Sequence, residues 1–288
     1  CSILPPDLSV ITNIGTAHVD NLGGRIEDVA RTKSEIIKGM NPSGTLFLNA
    51  DDENSKLLQT HDFKGKIVRV GTNNTADYIA YNIHYVENGM SFCVKISGEE
   101  QTFFIPIYGQ HNVYNAMFAI AIAHMYGFSP DDMRKGLATY QRPNARLTIH
   151  QLDKGIQLID DTCHANPEAM KVAIDVLAQI GKGQTIAVFE RMSTRGNHAI
   201  EGYRQVGKHL AEQKIDYLFT LGKKAVYYGE GAIEAGYPTE KLFHFLDKDQ
   251  MHQELLKHIE PGATVLIKGA RERKMVETVE FLQKQYKK

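Results

Sequence analysis

From residue 156 onward, short β-branched or aromatic runs alternate with helical patterns, and this alternation limits the chain more than any other feature. The runs are Ile156–Ile159, Thr185–Phe189, Tyr217–Leu221, Leu242–Phe245 and Thr264–Ile267. Between and after them stand the helical patterns Pro167–Gln179, Ile200–Gln213, Lys223–Ala235, Lys248–His258 and Lys274–Gln285. Strands that alternate with helices of this length predict a doubly wound parallel sheet with helices on both faces. Ligands of such a sheet bind at the carboxyl ends of its strands.

The first half has a different texture. Leu8–Ile14 suits a buried parallel strand, Glu27–Met40 an amphipathic helix stopped by Asn41-Pro42, and Thr45–Leu48 a second strand. Residues 66–107 then alternate in the manner of a small, largely antiparallel insert, with a turn at Glu87-Asn88-Gly89. Gln110–Tyr126 reads as a strong helix ended by Gly127, and Ser129-Pro130 opens the next one. Gln141-Arg142-Pro143-Asn144 is the natural linker, so the expected domains are 1–143 and 144–288. The fold class is α/β with two domains, a partial central parallel sheet followed by a Rossmann-like one.

Charge and cysteine usage narrow the function. Lys and Arg total 33 against 34 Asp and Glu, so no global field recruits nucleic acid or anionic lipid. The longest apolar run, Ala116–Ala123, is far short of the ~20 residues of a membrane span. Three cysteines, Cys1, Cys93 and Cys163, are too few for a disulfide framework, and a reducing cytoplasm is the expected compartment. Position 1 is not Met and begins no signal peptide, so the chain is expected to start in mid-protein.

Four constellations offer chemistry. Thr12-Asn13-Ile14-Gly15-Thr16-Ala17-His18 is a polar loop after a buried strand, with Lys33 on the following helix. His18 there can ligate a metal or touch a phosphate, although a satisfied structural histidine and a solvated lysine are the plainer readings. Asn112 and Asn115 share one face of a helix's first turn and offer both donors and acceptors, as a nucleobase edge requires; capping is the alternative. Asp160-Asp161-Thr162-Cys163-His164-Ala165-Asn166-Pro167 ends a strand in two carboxylates, which suit a ribose hydroxyl or a metal. A Cys163–His164 nucleophile is disfavoured because adjacent side chains on such a turn seldom face each other. Lys268-Gly269-Ala270-Arg271 ends the last strand in a basic cluster able to bind a carboxylate, or is simply a solvated helix start. No G-x-x-x-x-G-K-[ST] phosphate loop occurs.

Taken in order, these blocks resemble the Mur ligase family of ATP-dependent amide-forming enzymes of peptidoglycan synthesis. The resemblance also runs through Ala30-Arg31-Thr32-Lys33-Ser34-Glu35, Leu48-Asn49-Ala50-Asp51-Asp52, Gly109-x-His111-Asn112-x-x-Asn115-Ala116 and Ala145-Arg146-Leu147, seven blocks over nearly the whole chain. Within the family it looks like the branch that adds D-alanyl-D-alanine.

The resemblance implies roles. His18 would ligate Mg²⁺ together with Lys33, the family's carbamylated lysine. Asn112 and Asn115 would meet the adenine of ATP, Arg146 the phosphates and Asp161 the ribose. Asn166, Lys268 and Arg271 would serve the amine substrate, an amino acid or dipeptide, and the other partner would be a nucleotide-linked peptide. Residues 1–143 would be part of a central ATP-binding domain whose phosphate loop precedes Cys1, and the fragment alone would be inactive. The chain departs from the branch at Cys163-His164, where Tyr-Asn is usual, and at Glu190-Arg191-Met192, where Gly-Asp-Met is usual. A non-catalytic nucleotide-binding relative and a ligase for another amine are the competing readings.

Overall fold

Strand β1 covers only Leu8–Ile11, shorter than the apolar run that contains it. Beyond it the backbone leaves the ladder: the Ile14 N–H donates to Asp52 Oδ2 at 2.7 Å and the Ile14 carbonyl accepts from Asn54 Nδ2 at 2.9 Å. Those polar groups are satisfied by side chains, so no neighbouring strand is needed there. The computed structural model describes residues 4–16, 19, 22–193, 199–270 and 274–287. The chain divides into two compact units, Cys1–Gln141 and Arg142–Lys288.

In the first unit, helix α1 (Ile26–Lys38) buries Val29, Ala30, Ser34 and Ile37 and leads into β2 (Thr45–Asn49), which pairs in parallel with β1. Strands β3 (Lys66–Gly71), β4 (Tyr78–Val86), β5 (Gly89–Ile96) and β6 (Glu99–Ile105) follow. All six lie in one sheet in chain order. The largely antiparallel insert expected over residues 66–107 is present as β4 to β6, and it continues the parallel strands as part of the same sheet. Strands β1 to β3 are parallel, β4 to β6 antiparallel, and two parallel pairs, Val70 with Tyr78 and Gly71 with Ile79, join the halves. Asp77 fixes that junction, because its carboxylate accepts the Arg69 N–H and its own N–H donates to the Arg69 carbonyl. Helix α2 (Gln110–Met125) buries Val113, Ala116, Met117, Phe118, Ile120 and Ala121. Helix α3 (Pro130–Ala138) begins in a reciprocal capping box between Ser129 and Asp132, with proline at the first position.

The second unit holds a six-stranded sheet in the order β11-β10-β9-β12-β8-β7. Strands β8 (Gln157–Asp161), β9 (Thr185–Phe189), β10 (Tyr217–Leu221), β11 (Leu242–Phe245) and β12 (Thr264–Lys268) are parallel. Every residue of β9 and β12 is buried, as near-continuous apolar strands flanked by helices require. Strand β7 (Thr148–Gln151), which the sequence reading passed over, pairs antiparallel at the edge. Its four residues, Thr-Ile-His-Gln, carry little apolar periodicity, and the pairing is what makes them a strand. Helices α4 (Pro167–Ile180), α5 (Ala199–Glu212), α6 (Val226–Glu234), α7 (Lys248–His258) and α8 (Val276–Gln285) complete the unit. Helices α5 and α6 touch backbone to backbone. A Cβ added at Gly207 would lie 1.8 Å from the Tyr228 carbonyl oxygen, and one at Gly231 would lie 2.0 Å from that of Arg204.

Candidate nucleotide and amine sites

Helix α2 starts abruptly because Gly109 turns the chain with φ +100°, a conformation L side chains rarely adopt. Its first turn presents Asn112 and Asn115 three residues apart. Asn112 Nδ2 donates to the Tyr108 carbonyl at 2.7 Å, and Asn115 Nδ2 donates to Asn112 Oδ1 at 3.3 Å. The pair is therefore pre-oriented, with the Asn115 oxygen and one of its N–H groups left over from these bonds. Both asparagines line a cleft of about 520 Å³ between α2 and α3, whose walls include Ile107, Ala119, Phe128, Met133, Leu137 and Tyr140. A mostly apolar cavity of this size with a few convergent polar groups is the usual form of a small-molecule site. Phe128 and Tyr140 were not singled out from sequence. Both are exposed aromatics, 56% and 46%, and only the packing of α3 against α2 makes them walls.

The same helix is anchored from its other side. Tyr114 donates its hydroxyl to Asp51 Oδ2 at 2.7 Å, and the Thr72 hydroxyl lies 2.7 Å from the phenol oxygen. Asp51 also accepts the backbone N–H groups of Thr72, Asn73 and Asn74 at 2.5, 3.2 and 2.7 Å. Burial works to raise the Asp51 carboxyl, but the bonds from Thr72, Tyr114, Asn74 and Asn73 outweigh it and hold the group below its ordinary value. Burial, helped by the bond to Asp51, pushes the Tyr114 phenol up to about 12.

Around the polar loop after β1, Lys33 Nζ donates to the Asn13 carbonyl at 2.8 Å. Asp52, which takes the Ile14 N–H, is held in turn by Ser55 Oγ at 2.7 Å. His18 lies outside the described residues. As an ammonium ion Lys33 repels a divalent cation; only as a carbamate does it offer oxygen ligands, so the fit to Mg²⁺ is conditional on that modification. Among the described residues no cluster of three or more His, Cys, Asp or Glu side chains forms a metal site.

In the second unit the carboxyl ends of β8, β12 and β9 lie in register, with Asp161 opposite Lys268 and Lys268 opposite Phe189. Lys268 is 1% exposed. Its ammonium donates to Asp161 Oδ2 at 2.5 Å and to the His164 carbonyl at 2.7 Å. A buried lysine without a charged partner would be costly, and here the partner is internal. Asn166 Oδ1 accepts the Ala169 N–H at 2.8 Å as the N-cap of α4. Arg271 lies outside the described residues.

Asp161 is 9% exposed and takes the Leu147 N–H on Oδ1 at 3.3 Å. Each of its oxygens retains a second lone pair. Arg146 is exposed, between Ala145 at φ 59° and Leu147 at φ 49°. Left-handed backbone at two non-glycine residues costs roughly 1–2 kcal/mol each. The strap is held by Cys163 N–H to the Ala145 carbonyl at 3.1 Å and by Arg142, whose guanidinium donates to the Leu147 carbonyl. The loop after β9 is pinned as well: Met192 N–H donates to the Tyr203 hydroxyl at 2.8 Å and Tyr228 donates to the Glu190 carbonyl at 3.0 Å. Among the described residues no helix is long and apolar enough to cross a membrane.

Comparison with known proteins covers both units. Residues 1–123 match the Mur ligase middle domain, and residues 145–271 the domain described as Mur ligase, glutamate ligase domain. A UDP-N-acetylmuramoyl-tripeptide–D-alanyl-D-alanine ligase of Bacillus subtilis is 35% identical over 279 residues, 96% of this chain and 59% of the relative. The Escherichia coli enzyme of the same name is 29% identical, covering 98% and 61%. The chain thus spans about three-fifths of the length of the curated relatives it matches. Among solved structures, MurF from Acinetobacter baumannii superposes with a TM-score of 0.86 at 28% identity, over 98% of this chain and 60% of that one. MurF from Thermotoga maritima, solved in complex with ADP, gives 0.84 at 21% identity, a likeness of fold.

Proposed function

This chain belongs to the Mur ligase family, and on that premise we propose that it supplies the nucleotide-binding and amine-binding parts of an ATP-dependent amide ligase of peptidoglycan precursor synthesis. The observation that carries the reading is the Asn112–Asn115 pair at the mouth of the cleft between α2 and α3. A purine needs an apolar slot for its faces and a mixed donor and acceptor edge for its ring nitrogens and amino group, and this cleft has both.

The reaction follows from the family. A carboxylate oxygen of a UDP-linked peptide attacks the γ-phosphorus of ATP, the bond to the β-phosphate bridge oxygen breaks, and ADP leaves an acyl phosphate behind. The amine nitrogen of D-alanyl-D-alanine adds to the acyl carbon, loses a proton, and the tetrahedral intermediate expels phosphate. Negative charge moves over phosphate oxygens throughout, so positioned cations supply most of the rate enhancement. Arg146, exposed on its strap, is assigned to phosphate oxygens, and Asp161, through its spare lone pairs, to a ribose hydroxyl. His18 and a carbamylated Lys33 are assigned to Mg²⁺, which when bound neutralises phosphate charge. Arg271 is assigned to a carboxylate of the amine substrate.

The test is calorimetric titration of the chain with ATP. Asn115→Ala removes about 1–2 kcal/mol of hydrogen bonding, so affinity should fall roughly 5- to 30-fold with no change in unfolding midpoint. Equal affinity in the variant removes the cleft from the reading. The departures at Cys163-His164 and Glu190-Arg191-Met192 favour a second reading, a different amine. Phosphate release by the whole protein against a panel of amino acids and dipeptides decides it.

A further inference from the structure

Lys268 is the most deeply buried cation described in the second unit, and its bonds run to two different segments: the end of β8 through Asp161, and the turn before α4 through the His164 carbonyl. Asp161 in turn holds the Leu147 N–H. The turn before α4 holds the same strap independently, through Cys163 N–H to the Ala145 carbonyl. Both hydrogen bonds that clamp the strap from β8 and its following turn therefore converge on one ammonium group. What they clamp is a three-residue stretch whose outer members are left-handed, a conformation the chain leaves readily once the bonds are lost.

We propose that Lys268 is a positioning residue: it fixes the strap that presents Arg146 and does not touch a substrate. That this matters for ATP rests on the reading of Arg146 as a phosphate ligand. The geometry explains why a lysine ends an otherwise apolar central strand. A shorter or neutral side chain there would leave the Asp161 carboxylate without its cation and the His164 carbonyl without its donor, and the Leu147 N–H would be bonded to an unanchored side chain, with Arg142 still on its carbonyl. Strand β12 lies between β8 and β9, with Lys268 opposite Asp161, and from there a single group reaches both the end of β8 and the turn that follows it.

The test is Lys268→Met, read in two ways. Hydrogen–deuterium exchange of the chain should quicken at least ~10-fold at the amides of Leu147 and Cys163 while β9 and β10 keep their protection. A uniform loss of protection across the sheet overturns the proposal in favour of a merely structural ion pair, and unchanged exchange at Leu147 overturns it outright. In the whole protein, KM for ATP should rise at least ~10-fold with KM for the amine within about threefold. A rise confined to the amine's KM would return Lys268 to the substrate and overturn the proposal. If the strap loosens while both KM values hold, the loss falls on Arg146 as a phosphate ligand, and the positioning role stands. Should Lys268→Met fail to fold, the double variant Asp161→Asn with Lys268→Met buries no unpaired charge and keeps an acceptor for Leu147. Faster exchange at Leu147 supports the clamp there, and wild-type protection refutes it.

Discussion

Replacing Asp51 by alanine should cost the first unit about 3 kcal/mol. The carboxylate accepts four donors besides the Thr72 hydroxyl, but the N–H groups of Asn73 and Asn74 belong to exposed residues and can turn to water. That leaves the Thr72 N–H at 2.5 Å and the Tyr114 hydroxyl at 2.7 Å, and hydrogen bonds to a charged acceptor contribute about 1.5–3 kcal/mol each. Taking the low end for a half-buried group, two such bonds give about 3 kcal/mol, or roughly 10 °C in a domain of this size. The pH dependence carries its own sign. The folded Asp51 carboxyl lies below its ordinary value of 3.8, so its contribution is complete above that pH and is lost as pH falls through the depressed folded value. Urea unfolding followed by circular dichroism at about pH 7 and again near pH 2 measures both effects. A gap between wild type and Asp51→Ala under about 1 kcal/mol at neutral pH, or one that persists unchanged in acid, refutes the argument.

Other outcomes follow from single contacts. Gly207→Ala forces a Cβ into the Tyr228 carbonyl at 1.8 Å, so helices α5 and α6 must part; chemical denaturation should lose at least about 2 kcal/mol, and an unchanged midpoint would contradict the close crossing. The His244 and His252 imidazoles are both held below their ordinary 6.5, chiefly by burial. Protonation therefore favours the unfolded chain: the stability of the second unit should be full above about pH 6.5 and fall as pH drops below it, and the pair His244→Gln with His252→Gln should flatten that slope in thermal melts. Lys33→Ala should abolish ligase activity of the whole protein, with acetate restoring part of it if the carbamate is the acting form; full activity would remove Lys33 from the site.

How much of this was legible beforehand depended on how local the determinants were. The strands Thr185–Phe189, Tyr217–Leu221 and Leu242–Phe245 carry their own apolar or β-branched signal between clear turns, and helix Lys248–His258 its own caps, so pattern alone bounded them. Strand Thr148–Gln151 depends on a partner, and Leu8–Ile14 lost its last three residues to side-chain bonds from Asp52 and Asn54, 38 and 40 residues away from Ile14. At the candidate sites, residue type suggested which groups could act, but not which way they face. Lys268 looked outward as one of a basic run, yet its charge is met inside by a carboxylate 107 residues away. Asn112 and Asn115 were visible from spacing; the wall opposite them, built by α3, was not.

The place of β12 has a consequence for the order of events at the ribosome. It is the last strand of the second unit to be synthesised, yet it lies between β8 and β9, so those two early strands cannot close a sheet until residues 264–268 have emerged. Strands of the first unit pair with their chain neighbours and suffer no such delay. Pairings this distant slow folding and leave apolar edges open in the interval. A nascent chain stalled before Thr264 would thus carry the paired strands β1 to β6 attached to a split, aggregation-prone second sheet, and the buried charge of Asp161 would wait, unneutralised, for a lysine 107 residues further along the chain.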